Sequence, residues 1–342
     1  MNPETVNLYS DTQTRPGAEM RKAMANAEVG DEQRGLDPTV NALQERVAEL
    51  LGTEAALFLP SGSMCNQIAI RLHVRPIGDE LYTHRSSHPI VAEAGGAAAL
   101  AGAMIQPLDG DGGMFTGAAL EAALRDPEDR HQPRSRLVAV EQTTNFGGGR
   151  VWPREGIDEV LAVAGRHGLR THLDGARLLN AAVASGQSAA SFAAGFDTAW
   201  IDFSKGLGAP VGACIAGSRE IIEEAWRYKQ MLGGAMRQAG IVAAGALWAL
   251  DHNVERLAED HDNARLLAEG LAQIPGVEID PAAVETNIVI FDVPDPGGFV
   301  ERLAAEGIEL SLLDSRVRAV THLDVDRAGI ERALRAAEKS LS

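Results

Sequence analysis

Short apolar runs rich in β-branched residues alternate with longer amphipathic segments over most of this chain. Helical stretches such as 156–167 separate the runs, which lie at residues 55–59, 80–83, 136–141, 169–174, 198–203 and 212–216. This alternation is typical of parallel strands joined by crossover helices. It predicts an α/β domain with a mainly parallel central sheet.

The sequence pattern changes near residue 250, where residues 251–259 become charged and helical. Beyond them the pattern predicts helices at 261–274, at 297–306 and from Asp326 onward, and strands near 277–279, 287–291 and 318–321. Such a mixture indicates a compact α+β unit. We therefore predict a large domain with an N-terminal arm over residues 1–250 and a smaller C-terminal domain over residues 251–342.

The charge balance excludes several classes of partner. With 31 Lys and Arg against 48 Asp and Glu, the net charge of −17 repels phosphate backbones and acidic membrane surfaces. Residues 1–11 lack the basic start and apolar run of a signal peptide, so a cytoplasmic protein is expected. The apolar stretches 94–105 and 239–250 are shorter than the roughly 20 residues that span a bilayer, and they predict buried helices.

The two cysteines, Cys65 and Cys214, are too few for a disulfide framework and lack the spacing of metal ligands. We expect both to be reduced, buried and packed as small apolar residues.

Lys205 lies in a glycine-rich bend, DFSKGLGAPVG at 202–212, between two predicted strands. A lysine that forms a Schiff base with a cofactor needs a fixed, partly desolvated position and small neighbours that let a flat ring approach. A solvated loop lysine remains an equally good interpretation of this segment alone.

Asp174 follows a predicted parallel strand, at the edge where α/β sheets bind ligands. A buried carboxylate there could keep the pyridine nitrogen of pyridoxal phosphate (PLP) protonated, which strengthens the electron sink. The separation of 31 positions between Asp174 and Lys205 leaves room for one crossover helix. A lone acid at this position is also typical of a helix N-cap.

The turn Ser61-Gly62-Ser63 joins a predicted strand to a helix, so its backbone amides and hydroxyls could bind a phosphate at the helix N-terminus. The same residues are common in ordinary helix capping.

Motifs along essentially the whole chain, in order, resemble those of the L-threonine aldolases, which are PLP-dependent enzymes of fold type I. They are NLYSDTQTRP (7–16), VGD (29–31) with DPTV (37–40), PSGSM (60–64), HLDGARL (172–178), SKGLGAPVG (204–212), GGAMRQ (233–238) and VTHLDV (320–325). The resemblance implies a PLP-dependent transferase-like large domain of fold type I and retro-aldol cleavage of a β-hydroxy-α-amino acid to glycine and an aldehyde. It also implies a homodimer or homotetramer with active sites near the subunit interface.

The same resemblance implies a role for individual residues. Lys205 would hold PLP as a Schiff base, Asp174 would pair with the pyridine nitrogen, and the turn at Ser61, Gly62 and Ser63 would bind the phosphate. Arg237 would reach a phosphate or active site across a subunit boundary. The substrate carboxylate would be bound by Ser10, Arg177 and Arg318, a task suited to planar guanidinium groups.

His88 matches the histidine that stacks on the cofactor ring, and its ordinary pKa range suits proton transfer from the β-hydroxyl. An alternative is that His84 and His88, four residues apart, form a metal-binding pair on a helix. Because Pro89 adjoins and no third ligand is evident, no metal is expected.

Several positions depart from the family pattern. The family tyrosine expected within 31–36 and the acid expected at Leu36 are absent, as is the aromatic residue before Glu93. Thr144 stands where a histidine contacts the substrate hydroxyl or side chain. These changes predict a preference for a side chain other than the methyl group of threonine, bulkier or charged through Arg34.

Other functions share parts of this pattern. A different PLP reaction, such as β-elimination, racemisation or transamination, would use the same cofactor residues. A nicotinamide-dependent oxidoreductase is disfavoured because Gly206-Leu207-Gly208 lacks the third small residue of a dinucleotide fingerprint. A non-catalytic binding protein would have no need of Lys205.

Overall fold

The computed structural model describes residues 5–74 and 78–341. Residues 1–4 belong to the segment 1–11 that lacks the features of a signal peptide, and they lie outside the described residues. The strands are β1 (Val6–Asn7), β2 (Ala55–Leu59), β3 (Glu80–His84), β4 (Met104–Leu108), β5 (Ser135–Glu141), β6 (Arg170–Asp174), β7 (Thr198–Asp202), β8 (Ala213–Gly217), β9 (Ile288–Phe291), β10 (Ile308–Glu309), β11 (Ser311–Leu313) and β12 (Arg316–Val320).

The α-helices surround these strands and fill the connections between them. They are α1 (Ala18–Ala25), α2 (Pro38–Leu51), α3 (Gly62–His73), α4 (His88–Val91), α5 (Gly96–Ala101), α6 (Gly117–Ala123), α7 (Arg154–His167), α8 (Leu178–Ser185), α9 (Ala189–Ala193), α10 (Arg219–Met231), α11 (Gly240–His252), α12 (Leu257–Leu271), α13 (Pro296–Ala305) and α14 (Arg327–Leu341).

The central sheet of the described residues has seven strands in the order β2-β8-β7-β6-β5-β3-β4. The pairs from β7 through β4 are parallel, whereas β8 runs antiparallel to both of its neighbours. The predicted α/β class with a mainly parallel sheet is confirmed. Parallel strands of such a sheet are buried on both faces, so each of them appears in the sequence as a continuous apolar run.

A second, smaller sheet of order β11-β12-β9 is antiparallel and has its own apolar core, formed with α12, α13 and α14. The N-terminal arm contributes Val6 and Leu8 to this core, and β1 pairs with β10. The α+β character of the C-terminal part is therefore confirmed. The proposed boundary at residue 250 falls inside α11.

Two local predictions are wrong. Residues 94–105 do not form one buried helix, because Gly95 and Gly102 adopt left-handed backbone angles that bound the short helix α5, and β4 begins at Met104. Residues 277–279 form no strand; Glu278 makes one isolated bridge with Asp292.

Other local predictions are confirmed. The apolar stretch at 239–250 becomes α11, which is largely buried, and Cys65 and Cys214 are free and buried. Within residues 5–74 and 78–341, no helix has the length and apolar character needed to cross a membrane.

Candidate active site

Three acidic residues end neighbouring strands at one edge of the central sheet. Glu141 ends β5, Asp174 ends β6 and Asp202 ends β7, and Glu141 is the register partner of Asp174. Carboxyl ends of parallel strands are where open α/β sheets bind ligands. The predicted location of Asp174 at this edge is confirmed.

Lys205 follows β7 in the bend that leads to the antiparallel strand β8. Its Nζ atom lies 3.1 Å from Oδ2 of Asp202 and 5.5 Å from the centroid of the Trp200 ring. The side chain is 17% exposed and lines two adjoining cavities. Lys205 is therefore a partly desolvated amine at a fixed position, and the interpretation of a solvated loop lysine is wrong.

The first cavity has a volume of about 310 Å³ and lies at the N-terminus of α3. Ser61 is the N-cap and accepts a hydrogen bond from the Met64 amide at 3.3 Å, while Gly62 and Ser63 begin the helix and line the cavity. A Cβ atom at Gly62 would lie 2.2 Å from the Trp200 ring, so a larger residue cannot occupy this position without displacing the cavity wall. A helix N-terminus with a serine on each side of a glycine fits a phosphate group.

Asp174 lines this cavity and is buried. Its Oδ1 atom accepts the Ala176 amide at 3.0 Å and its Oδ2 atom accepts Nδ2 of Asn66 at 2.8 Å. Burial raises the pKa of Asp174, against the charges of His88 and Lys205 and the hydrogen bond from Asn66. A carboxyl group with such a raised pKa can share a proton with a basic ring nitrogen. Together with Lys205 and the α3 N-terminus, it gives the cavity the three groups that PLP requires.

His88 lies between the two cavities, since it lines both. Its amide donates to Oε2 of Glu141 at 2.8 Å and its ring Nδ1 atom lies 2.8 Å from Oε1 of Glu93. Burial lowers the pKa of His88, but the hydrogen bond that its ring donates to Glu93 and the charges of Asp174 and Glu93 outweigh it and raise the pKa overall. The imidazole is thus held by one nitrogen.

The alternative of a metal-binding histidine pair on a helix is wrong. His84 is the last residue of β3, whereas His88 begins α4, so the two do not share a helix. The described part of the chain holds no group of three or more His, Cys, Asp or Glu arranged to bind a metal ion.

Glu141 is buried and accepts two backbone amides, that of His88 and that of Asn145 at 2.6 Å. Burial and the negative charge of Asp174 raise the pKa of Glu141 to about 7. Its two oxygens hold the loop after β5 against the start of α4.

The second cavity has a volume of about 290 Å³ and contains the residues expected to bind the substrate carboxylate. Ser10 lines it, and its hydroxyl oxygen accepts the Thr12 amide at 3.2 Å. Arg177 and Arg318 also line it, the former with a buried partner, Asp11. The structure brings all three predicted residues together.

Arg318 lines this cavity and has one donor without a partner among the described residues. Its Nη2 atom donates to Oδ1 of Asn145 at 2.7 Å and its Nη1 atom reaches the Tyr9 carbonyl at 3.4 Å, but its buried Nε atom has no hydrogen-bond partner among the described residues. Burial and the nearby charge of Arg177 lower the pKa of Arg318 to about 10, so the group stays cationic at neutral pH. A buried, unsatisfied guanidinium donor fits a bound carboxylate.

Three residues expected at the site lie elsewhere in this single chain. Thr144 is buried and lines neither cavity, and its hydroxyl oxygen accepts the Arg150 amide at 3.2 Å. Arg34 is exposed and lines neither cavity. Arg237 is 63% exposed and pairs with Asp31 at 3.0 Å.

Sequence reasoning assigned no role to Asn66, Glu93 or Asp11, which contact the site residues directly. Glu93 follows His88 by five residues and Asn66 follows Gly62 by one helical turn, so local spacing could have placed both near the site. No local signal marks Asp11, because its partner is 166 residues away.

A lysine, a buried acid and a helix N-terminus around one cavity, on a mainly parallel sheet with an antiparallel strand beside the lysine, define a PLP-dependent enzyme of fold type I. A family model described as beta-eliminating lyase matches residues 7–294. A low-specificity L-threonine aldolase of Escherichia coli strain K12 is 40% identical over 94% of this chain and 95% of its own length. Low-specificity L-threonine aldolase 1 of Arabidopsis thaliana is 40% identical over 96% of this chain and 94% of its own length.

Among solved structures, the threonine aldolase of Leishmania major matches with a TM-score of 0.83 and 19% sequence identity. The match covers 98% of this chain and 100% of that one. At that identity the likeness shows the fold. The sequence matches go further: the chain belongs to the beta-eliminating lyase family and, within it, to the L-threonine aldolases, PLP-dependent carbon–carbon lyases.

Proposed function

We propose that this protein cleaves L-threonine, L-allo-threonine or a related β-hydroxy-α-amino acid between Cα and Cβ, giving glycine and an aldehyde. The observation that carries this proposal is the junction of the two cavities. Lys205 and His88 line both, so a cofactor held in the first would meet a substrate held in the second at these two side chains.

In this proposal Lys205 holds PLP, with its phosphate at Ser61, Gly62 and Ser63 and its ring nitrogen facing Asp174. When bound, PLP supplies a sink for the electron pair left at Cα as the Cα–Cβ bond breaks. Asp174 increases that capacity because a carboxylate beside the ring nitrogen favours its protonated form.

Arg318 binds the substrate carboxylate through the Nε donor that has no partner in the described part of the chain. Ser10 and Arg177 line the same cavity. Fixing the carboxylate fixes the direction of the Cα–Cβ bond relative to Lys205 and His88, which would favour cleavage of that bond. Positioning by these residues selects carbon–carbon cleavage over loss of the Cα proton.

His88 removes the proton of the β-hydroxyl. Its Nδ1 atom is held by Glu93, which leaves Nε2 as the free acceptor at the junction of the cavities. The proton leaves the hydroxyl oxygen as the aldehyde carbonyl forms, and Cα takes up a proton to give glycine. Only the neutral imidazole can perform this step.

The side chain of the substrate is expected to lie against Tyr9, Phe146 and Leu312, which also line the second cavity. These residues favour aldehydes with apolar groups larger than a methyl. Arg34 lines neither cavity in the single chain, so a bulkier apolar side chain is better supported than a charged one.

We further propose that two chains associate so that Arg237 approaches the phosphate site of the partner. Within its own chain Arg237 is exposed and lines neither cavity. Leu36, Met231 and Ile241 are exposed apolar residues on the adjoining segments, a pattern typical of an association surface.

The purified holoenzyme tests the reaction. It should release glycine and an aldehyde in equal amounts from L-threonine, L-allo-threonine and phenylserine, with phenylserine cleaved at least as fast as threonine. Lys205→Ala should abolish this activity, while Lys339→Ala, a change at an exposed lysine paired with Glu306, should leave it intact. Much faster cleavage of threonine than of phenylserine would contradict the preference for bulky side chains.

One alternative has a specific observation behind it. The matching family model is described as beta-eliminating lyase, and elimination on the same cofactor residues would release ammonia and a keto acid. The same assay therefore measures ammonia and keto acid beside glycine and aldehyde. If ammonia and keto acid are the main products, the protein is a β-eliminating enzyme and the aldolase proposal is wrong.

A further inference from the structure

Asn66 makes four hydrogen bonds beside the candidate active site, although it lines neither cavity. Its Nδ2 atom donates to Oε1 of Glu93 at 2.7 Å and to Oδ2 of Asp174 at 2.8 Å. Its Oδ1 atom accepts from Nε1 of Trp200 at 2.8 Å and lies 3.1 Å from Nε2 of His172. The side chain is 1% exposed, so each of these bonds is made away from water.

The orientation of the Asn66 amide follows from its partners. The indole of Trp200 can only donate, so the atom it meets is the oxygen, and the NH2 group faces the two carboxylates. Nε2 of His172 must then also donate. Its Nδ1 atom is left as the acceptor for the hydroxyl of Thr198, 2.8 Å away.

The chain of hydrogen bonds continues to the opposite edge of the sheet. Thr198 has one hydroxyl proton, which it gives to His172, so it accepts from Nε2 of His73 at 3.0 Å. His73 lines a cavity of about 700 Å³ where β6 and β7 begin. Burial lowers the pKa of His172 to about 3 and that of His73 to about 4, which keeps both rings neutral, as this direction of donation requires.

Glu93 is the second link to the site. Its Oε1 atom accepts from both Asn66 and Nδ1 of His88, and its Oε2 atom accepts from Gln67. Three donors thus surround the Glu93 carboxylate. Glu93 therefore fixes the ring of His88 and leaves Nε2 of that ring facing the cavities.

We propose that Asn66 is a positioning residue that joins the acid facing the cofactor, Asp174, to the pair formed by Glu93 and His88. This inference rests on the roles proposed above for Asp174 and His88. One neutral NH2 group between two carboxylates supplies a donor to each without adding charge. The chain through His172, Thr198 and His73 prevents the amide from turning over.

Asn66→Asp keeps the size of the side chain and its acceptors for Trp200 and His172, but it places a third carboxylate against Glu93 and Asp174. Like charges at this distance cannot all ionise in a buried site, and the group binds an extra proton. As pH rises this extra proton is lost from the three carboxylates. Residue 66 can then no longer donate a hydrogen bond to Asp174. The binding of PLP should therefore weaken, and weaken more at high pH.

The test measures the Kd of PLP for the apoprotein, by absorbance titration, from pH 6 to pH 9. For Asn66→Asp the ratio of Kd to that of the wild type should rise with pH and reach roughly tenfold at pH 8. Asn180→Asp is the matched control, since Asn180 is also buried and bonds a histidine, His261, outside the site. Its ratio should stay within about twofold and be independent of pH.

Glu93→Gln supplies a second measurement that does not require the Asn66 variant to fold. His88 faces Glu93, Asp174, Glu141 and Lys205, and the loss of one negative charge from this set lowers the pKa of His88. The acidic limb of kcat/KM should shift to lower pH by roughly one unit, while the Kd of PLP stays within about twofold.

Two results would overturn the proposal: a Kd ratio for Asn66→Asp that is the same at every pH, or an acidic limb that Glu93→Gln leaves in place. Failure of the proposed function gives a different result. If the wild-type protein makes no glycine and aldehyde, the proposed function fails. The same titrations still measure how the binding of PLP changes with pH in Asn66→Asp.

Discussion

The guanidinium of Arg177 and the carboxylate of Asp11 form a buried ion pair, with 2.7 Å from Nε to Oδ2 and 2.6 Å from Nη2 to Oδ1. Asp11 also accepts Nδ2 of Asn287 at 3.1 Å. Burial would raise the pKa of Asp11, but the charge and hydrogen bonds of Arg177 lower it well below its usual range. Arg177 thus has its own counter-charge, whereas Arg318, in the same cavity, has an Nε donor without a partner among the described residues.

Asp11→Ala should lower the free energy of unfolding by about 3 kcal/mol, because it leaves the buried Arg177 without a counter-charge. Urea unfolding of the holoenzyme measures this change. The control is Glu331→Ala, which removes the partner of Arg327 in an exposed i,i+4 pair and should cost less than about 1 kcal/mol. Equal effects of the two substitutions would show that burial of the Arg177 pair contributes nothing.

Arg318→Gln should raise KM for the amino-acid substrate by roughly 10- to 100-fold, since a charged hydrogen bond to a carboxylate contributes about 1.5–3 kcal/mol. The Kd of PLP should change little, because Arg318 does not line the cofactor cavity. Arg316→Gln, an exposed change in the same strand, is the control. An unchanged KM for Arg318→Gln would remove Arg318 from the substrate site.

The sequence allowed the cofactor residues to be located because each is tied to a local pattern. Asp174 ends an apolar run, Lys205 lies in a glycine-rich bend, and Gly62 begins a helix after a strand. Strand ends and helix starts can be read from neighbouring residues. The carboxyl edge of a parallel sheet then brings them together without further information.

The connections among these residues could not be predicted in the same way. The chain from Asn66 to His73 depends on which side chains face each other across α3, β6 and β7, and its hydrogen-bonded partners are up to 125 residues apart. Thr144 is a different case. Its position in the family motif predicts a substrate contact, which stays a prediction, while in this chain its hydroxyl oxygen accepts the Arg150 amide.

His172→Gln should flatten the dependence of stability on pH. The folded-state pKa of His172 is about 3 and the unfolded value is near 6.5, so the unfolded chain binds more protons between these limits. Stability is therefore lost as pH falls below 6.5, by about 2 kcal/mol at pH 5 for this residue.

Urea unfolding at pH 7 and pH 5 checks this expectation. Glutamine can still donate to Asn66 but does not titrate, so the variant should lose about 2 kcal/mol less than the wild type between the two pH values. His73 titrates in both proteins and cancels in the comparison. Parallel losses would mean that His172 is not kept neutral by burial.

Gly62→Ala should weaken the binding of PLP without unfolding the protein. The added Cβ would lie 2.2 Å from the Trp200 ring and 3.2 Å from the Asp202 carboxylate, so either the ring or the helix start must move in the wall of the first cavity. Trp200 also donates to Asn66, and its displacement would disturb that bond too. We expect the Kd of PLP to rise by roughly tenfold or more, a cost of about 1.4 kcal/mol.

Gly165→Ala in α7 is the matched control, because nothing lies within 4 Å of its added Cβ and alanine favours the helix by about 0.5–1 kcal/mol. If both variants bound PLP as the wild type does, the start of α3 would not be the phosphate site.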